Sequence, residues 1–323
     1  MRRGQRRAGR AGFTLVELLV VIAILALLAA LVAAGIGKVR EGAQSSVTTQ
    51  TLVKLQKAID NQWRVTCDKC RDDRRTFATP NKQPDFVKMV TICDNDVDRA
   101  EALWMFLNLR REMPESFAEA RSDVTLTGNG VTVTIPRSSA FKEIQNNLTA
   151  GGQPEEESAA LLYIILGKGA RGANFSIDDA MQGAQTSLNF SNGLSLPAFK
   201  DGFSNYVAFK RFYQSPELNS PEYSRGRNTA MLQKGVDPMD DPLDDRGKLK
   251  LWANTTVKTA AVAAVFNPVN LQTFDGRNRI ATPISAGPDS RDQTDGQKHL
   301  AFRPPNDNDN TYGYRVLRDG NKE

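Results

Sequence analysis

The chain has 323 residues, of which 40% are hydrophobic and 24% charged. That is enough for a proper core in one large domain or two small ones, and it excludes a disordered tail. The net charge of +5 would suit nucleic acid or an anionic membrane. However, five of the 42 basic residues are Arg2, Arg3, Arg6, Arg7 and Arg10, and beyond the first twelve residues 37 bases face 37 acids. The body is therefore neutral, no basic stripe is interleaved with aromatics, and nucleic acid is not expected as a partner.

After the arginines comes an apolar run. From Leu18 to Ile36 there are nineteen residues without a charge or a strongly polar side chain, long enough as a helix to cross a hydrocarbon core of roughly 30 Å. The arginines precede it and only Lys38 and Arg40 follow closely, so the positive-inside rule places the N-terminus in the cytoplasm and the rest outside. No later segment is long or apolar enough to cross again; Ala159 to Leu166 has the size of a core helix. A cleaved secretory signal peptide would account for the arginines but not for Glu17, whose charge costs about 2.5–3.5 kcal/mol on insertion scales unless a partner offsets it.

The run Gly12-Phe13-Thr14-Leu15-Val16-Glu17-Leu18-Leu19-Val20-Val21-Ile22-Ala23-Ile24 resembles the N-terminal processing motif of type IV prepilins and type II secretion pseudopilins. The glycine, the phenylalanine and the glutamate five residues into the mature chain all match. The resemblance implies a bacterial inner-membrane protein cut by prepilin peptidase between Gly12 and Phe13 and methylated on the new amino group of Phe13. It implies also that Glu17 pairs with the Phe13 amine of a neighbouring subunit, so that two charges costly in lipid satisfy each other only on assembly. The implied partners are the peptidase, the membrane and other pilin or pseudopilin subunits, and the implied fold is α+β: a long membrane-plus-stem helix on a globular head with a helical insertion and a small antiparallel sheet.

Past the membrane, Leu52, Leu55, Ile59 and Trp63 form one apolar stripe with Lys54, Lys57, Asp60 and Arg64 off it, an amphipathic stem. Gly35, Gly37 and Gly42 are weak points of the helix before it. The organisation is then a leader (1–12), the membrane half of the helix (13–37), the stem (38–66), a mostly helical region (67–200) and a C-terminal region with long loops (201–323). Within 67–200, a helix is expected from Asp96 to Arg111 and a hairpin over Val124 to Ile135 about a Gly-Asn-Gly turn. Further helices are expected at Pro154–Leu166 and Ser176–Thr186. Ser215 to Gly247, with Asp237, Asp240, Asp241, Asp244 and Asp245, reads as exposed loop.

Cys67 and Cys70, with Cys93, suit one disulfide in an oxidising compartment, its pairing not readable from sequence. A zinc site would need His299 or a carboxylate as fourth ligand. Placed after the stem helix, the Cys67/Cys70 pair is at the wrong end for a redox motif.

The last third extends the resemblance. Asp201-Gly202-Phe203-Ser204-Asn205-Tyr206-Val207-Ala208-Phe209 looks like a degraded form of the Asp-Pro-Trp-Gly-Asn-Pro-Tyr segment of the major type II pseudopilin. Ile284 to Asp289 resembles that protein's calcium loop, and Asp307 to Tyr312 the acidic stretch that completes it. The resemblance implies calcium held by oxygens of Ser285, Asp289, Asp307 and Asp309, the hard ligands this ion prefers. Ser290 stands where glycine is usual, and Arg291 to Asn306 separates halves that are normally close. With His299 as the one histidine and no nucleophile elbow, no catalytic constellation is legible. The expected function is a pseudopilin subunit of a type II secretion pseudopilus. The alternatives are a type IV pilin for adhesion, motility or DNA uptake, and a monomeric membrane-anchored ligand-binding protein.

Overall fold

A computed structural model describes residues 15–79, 83–142, 144, 153–168, 177, 183–190, 193–213, 243, 248, 280–287 and 311–313. The chain divides into two compact units, Met1–Ser46 and Val47–Glu323. The described residues of the first unit are the opening part of helix α1 (Leu15–Thr76). It stays helical through Gly35, Gly37 and Gly42, and around each of these glycines there is open space.

In the second unit α1 continues as the stem. Leu52, Leu55 and Ile59 are fully buried and Trp63 is half-buried, while Lys54, Lys57, Asp60 and Arg64 face out, as a 3.6-residue period requires. The helix does not stop near residue 66. No proline occurs before Pro80, and Arg71–Asp68 and Arg75–Asp72 pairs at i,i+3 extend it to Thr76.

Helix α2 (Pro84–Ile92) takes a proline in its first turn and buries Phe86, Met89, Val90 and Ile92. Asp96 caps α3 (Val97–Glu112) by accepting from the amides of Asp98 and Arg99. From Ala102 to Leu109 every residue of α3 is buried, which makes it the central helix of the head. Its Trp104 indole donates to Asp73 of α1 at 3.0 Å and meets Phe86 edge-on. Ser116 caps the short α4 (Phe117–Arg121). Strands β1 (Val124–Gly128) and β2 (Val131–Ile135) form the expected hairpin about Asn129-Gly130, both at positive φ. Val124, Leu126, Val133 and Ile135 face the core. Helix α5 (Pro154–Lys168) follows, with Glu155, Glu156 and Glu157 in its first turn.

Gln185 and Thr186, expected to end a helix, instead open β3 (Gln185–Asn189), which pairs with β4 (Ser195–Phe199). Gly183, at φ +78, adopts a left-handed conformation that does not continue a helix. The last sheet has the order β5-β6-β7, with β5 (Ala208–Tyr213), β6 (Ile280–Ser285) and β7 (Thr311–Tyr312) all antiparallel. Of the loop expected from Ser215 to Gly247 one residue is described, and it departs from expectation: Leu243 is buried in the main core.

Two arrangements hold β5. On its outer edge, the Ser158 hydroxyl accepts from the Phe209 amide at 2.7 Å and donates to the Phe209 carbonyl at 2.6 Å, and Glu115 accepts from the Arg211 amide at 2.6 Å. Behind it, the buried Arg211 guanidinium grips Glu119 with two nitrogens, at 3.0 and 3.2 Å, and donates to the Met113 carbonyl. Burial pushes the Glu119 pKa up, but Arg211, Arg110 and the Glu115 amide outweigh it and hold the carboxyl below its ordinary value. For Arg211 burial lowers the pKa and the two glutamates reverse that, leaving it raised. Both shifts favour the charged pair.

Candidate functional site

The opening of α1 is long and apolar enough to cross a membrane, and none of its most apolar stretch is buried within the chain. Leu18, Leu19, Val21, Ile22, Leu25, Leu28 and Val32 all stand exposed. So much uncovered aliphatic surface needs lipid or other helices around it. Glu17 sits in the first turn of this helix, where the unbonded amides at a helix start favour a negative charge. Gly12 and Phe13 lie outside the described residues.

Residues 7–33 match the family model of the prokaryotic N-terminal methylation motif, a range that takes in the end of the leader from Arg7, Gly12, Phe13, Glu17 and most of the apolar run. The motif is consistent with the type IV pilin and pseudopilin families. Neither a curated protein nor a solved structure matches it. The long N-terminal helix with a small antiparallel sheet in the globular part is an α+β, pilin-like arrangement. The motif implies processing by prepilin peptidase, assembly with pilin-type subunits and anchoring in a membrane.

In the second unit, the turn at Asp201–Asn205 and the end of β6 with Gly287 lie against each other. Asp201, 4% exposed, accepts from the amides of Phe203 and Asn205 at 2.9 and 2.8 Å through one carboxylate oxygen. Its other oxygen accepts from the Ser285 hydroxyl at 2.6 Å. Asn205 donates to the Gly287 carbonyl, and Thr48 of the stem accepts from the Gly202 amide. The turn has Ser204 at φ +68, at the place where the related segment has glycine. Sequence reading singled out both segments but gave no sign that they touch, and Thr48 carried no signal at all.

Of the expected calcium ligands only Ser285 is described; Asp289, Asp307 and Asp309 lie outside the described residues, as does His299. The Ser285 hydroxyl is engaged, donating to Asp201 and accepting from the Gly287 amide, so the backbone carbonyls are the oxygens this turn can offer an ion. Ser285 pairs with Thr311 across β6 and β7, which sets the chain leaving toward Asp289 beside the chain arriving from Asp307 and Asp309.

Cys67, Cys70 and Cys93 are buried thiols, and the disulfide expected among them is not formed. The extension of α1 explains part of this: Cys67 and Cys70 lie one turn apart inside a helix rather than beyond its end. Burial pushes the Cys67 thiol up to about 12, with Arg71 opposing, and raises Cys70 further, which leaves little reactive thiolate. Among the described residues no three of His, Cys, Asp and Glu are grouped to hold a metal.

Proposed function

We propose that this chain is a pseudopilin, a structural subunit of a type II secretion-type pseudopilus. The observation that carries the reading is the methylation motif at the head of an apolar helix whose side chains have no cover within the chain. The arginines hold the leader in the cytoplasm and the head lies in the periplasm. Prepilin peptidase cuts between Gly12 and Phe13, and subunits then pack through α1, with Glu17 meeting the amine of a neighbour's Phe13. The role is architectural and uses no catalytic group.

The preference for a pseudopilus over a type IV pilus rests on the C-terminal segments. Their contact through Asp201, Ser285, Asn205 and Gly287 supports the likeness to the major pseudopilin, and the β6–β7 register supports a calcium site built of carbonyls near Ser285 with Asp289, Asp307 and Asp309. Mass spectrometry of the protein purified from membranes tests the central claim. The expected first residue is an N-methylated Phe13; a mature chain that begins beyond Ile36 would restore the signal peptide and end the pilin reading.

A further inference from the structure

The head treats its strand edges in two ways. On the outer edge of β5, Ser158 and Glu115 take up outward backbone groups, so no further strand can add there. Among the described residues the β1–β2 hairpin has no such cover. Its two-residue turn makes Gly128 and Val131 the first hydrogen-bonded pair, followed by Leu126 with Val133 and Val124 with Ile135. The alternate residues, Thr125 and Thr127 on β1 and Thr132 and Thr134 on β2, therefore aim their amides and carbonyls out of the hairpin. Nothing among the described residues takes up those groups.

These four positions are all exposed threonines, with none of the lysine, proline or bulge that guards an open edge. Their side chains are already fixed in cross-strand pairs, Thr125 with Thr134 at 3.2 Å and Thr127 with Thr132 at 3.0 Å. The opposite face is anchored in the core by Leu126 and Val133. The result is an uncharged strand template whose two unlike edges have no partner among the described residues.

The geometry points to edge-to-edge pairing between hairpins of adjacent copies, β1 of one head against β2 of the next. This rests on the assembly proposed above. A second copy is the occupant that fits. Two different edges on one hairpin give a head-to-tail contact that can propagate along an open helical filament. A neutral threonine edge meets its own kind without charge repulsion. Heads joined to packed N-terminal helices are held at high mutual concentration, so a modest contact suffices.

The test compares full-length protein dispersed in detergent with the same protein assembled, assembly being read by sedimentation and pairing by hydrogen exchange of individual amides. On assembly, exchange at Thr125 or Thr127 and at Thr132 or Thr134 is expected to slow by about tenfold or more. Thr127→Pro should abolish this protection at Thr132 and Thr134, because proline deletes an outward donor while leaving the hairpin's own ladder intact. Sedimenting assemblies whose hairpin amides still exchange as in the dispersed protein would refute the pairing and leave the pseudopilin reading standing. Protein that never sediments would refute both. Protection gained by dispersed protein from an unrelated extended peptide, with none gained on assembly, would assign the edge to another kind of chain and overturn the proposal.

Discussion

Arg211→Met isolates what the ion pair beneath β5 contributes. The substitution leaves Glu119, whose side chain is 19% exposed, without its two-pronged partner. Stripping one member from a buried pair costs about 3–5 kcal/mol. Arg110 still approaches Glu119 at 3.5 Å and the Glu115 amide still donates to it, so the lower end applies, about 3 kcal/mol of a total near 5–15. Unfolding of the full-length protein in urea, followed by tryptophan fluorescence, should show the loss, since the Trp63 ring lies 5.7 Å from that of Phe212, the next residue in β5. Adding Glu119→Gln to Arg211→Met should recover part of the loss, because the stranded charge goes with it. The sign with pH follows from the depressed Glu119 pKa: its contribution is complete above the ordinary carboxyl value of about 4.3 and disappears as pH falls through the lower folded value. A double variant at least as unstable as the sum of the two single variants would show that these residues act separately and refute the argument.

Glu17→Val removes a charge from the bilayer, so membrane levels should be normal, while incorporation beside wild-type subunits should fail; cross-linking in membranes measures both, and wild-type incorporation would dismiss the pairing with Phe13. Calcium at a hundredfold excess over Kd should stabilise the full-length protein by about 2.7 kcal/mol, read as a higher melting temperature than in chelator. Magnesium should substitute poorly because it demands tighter octahedral geometry, and Asp289→Ala should remove the difference. Equal melting in calcium and chelator would leave Asp289, Asp307 and Asp309 as solvated turns and remove the main reason to prefer a pseudopilus.

What could be read from the sequence was what short stretches decide for themselves. The stem stripe at Leu52, Leu55 and Ile59, the Asp96 cap of α3 and the Asn129-Gly130 hairpin all arise from residues a turn or two apart. The stem, expected to end at residue 66, runs on to Thr76 because the i,i+3 ion pairs beyond that point support helix. The methylation motif is local too, and the family model matches it over residues 7–33. Arg211 in β5, Ser158 in α5 and Leu243 in a polar run gave no sign of their roles, since each acquires its partner only from a distant part of the chain. Asp201 and Ser285 were noticed for their likeness to a family, and their mutual hydrogen bond spans 84 residues that no periodicity bridges.

Gln56 gives the head a fixed order of manufacture. Its buried amide, on the stem, donates at 2.7 Å to the carbonyl of Ala281, a partner 225 residues further along the chain. Its oxygen stands so near Gly313 that any side chain there would collide with it at 2.7 Å. The stem therefore cannot complete its buried face until the chain has emerged past Ala281 and Gly313. Closing so long a loop is slow compared with forming a helix, so the stem helix forms well before this part of its cover. An early stop in translation would leave the stem with Gln56 exposed and without the partners that Ala281 and Gly313 bring to it.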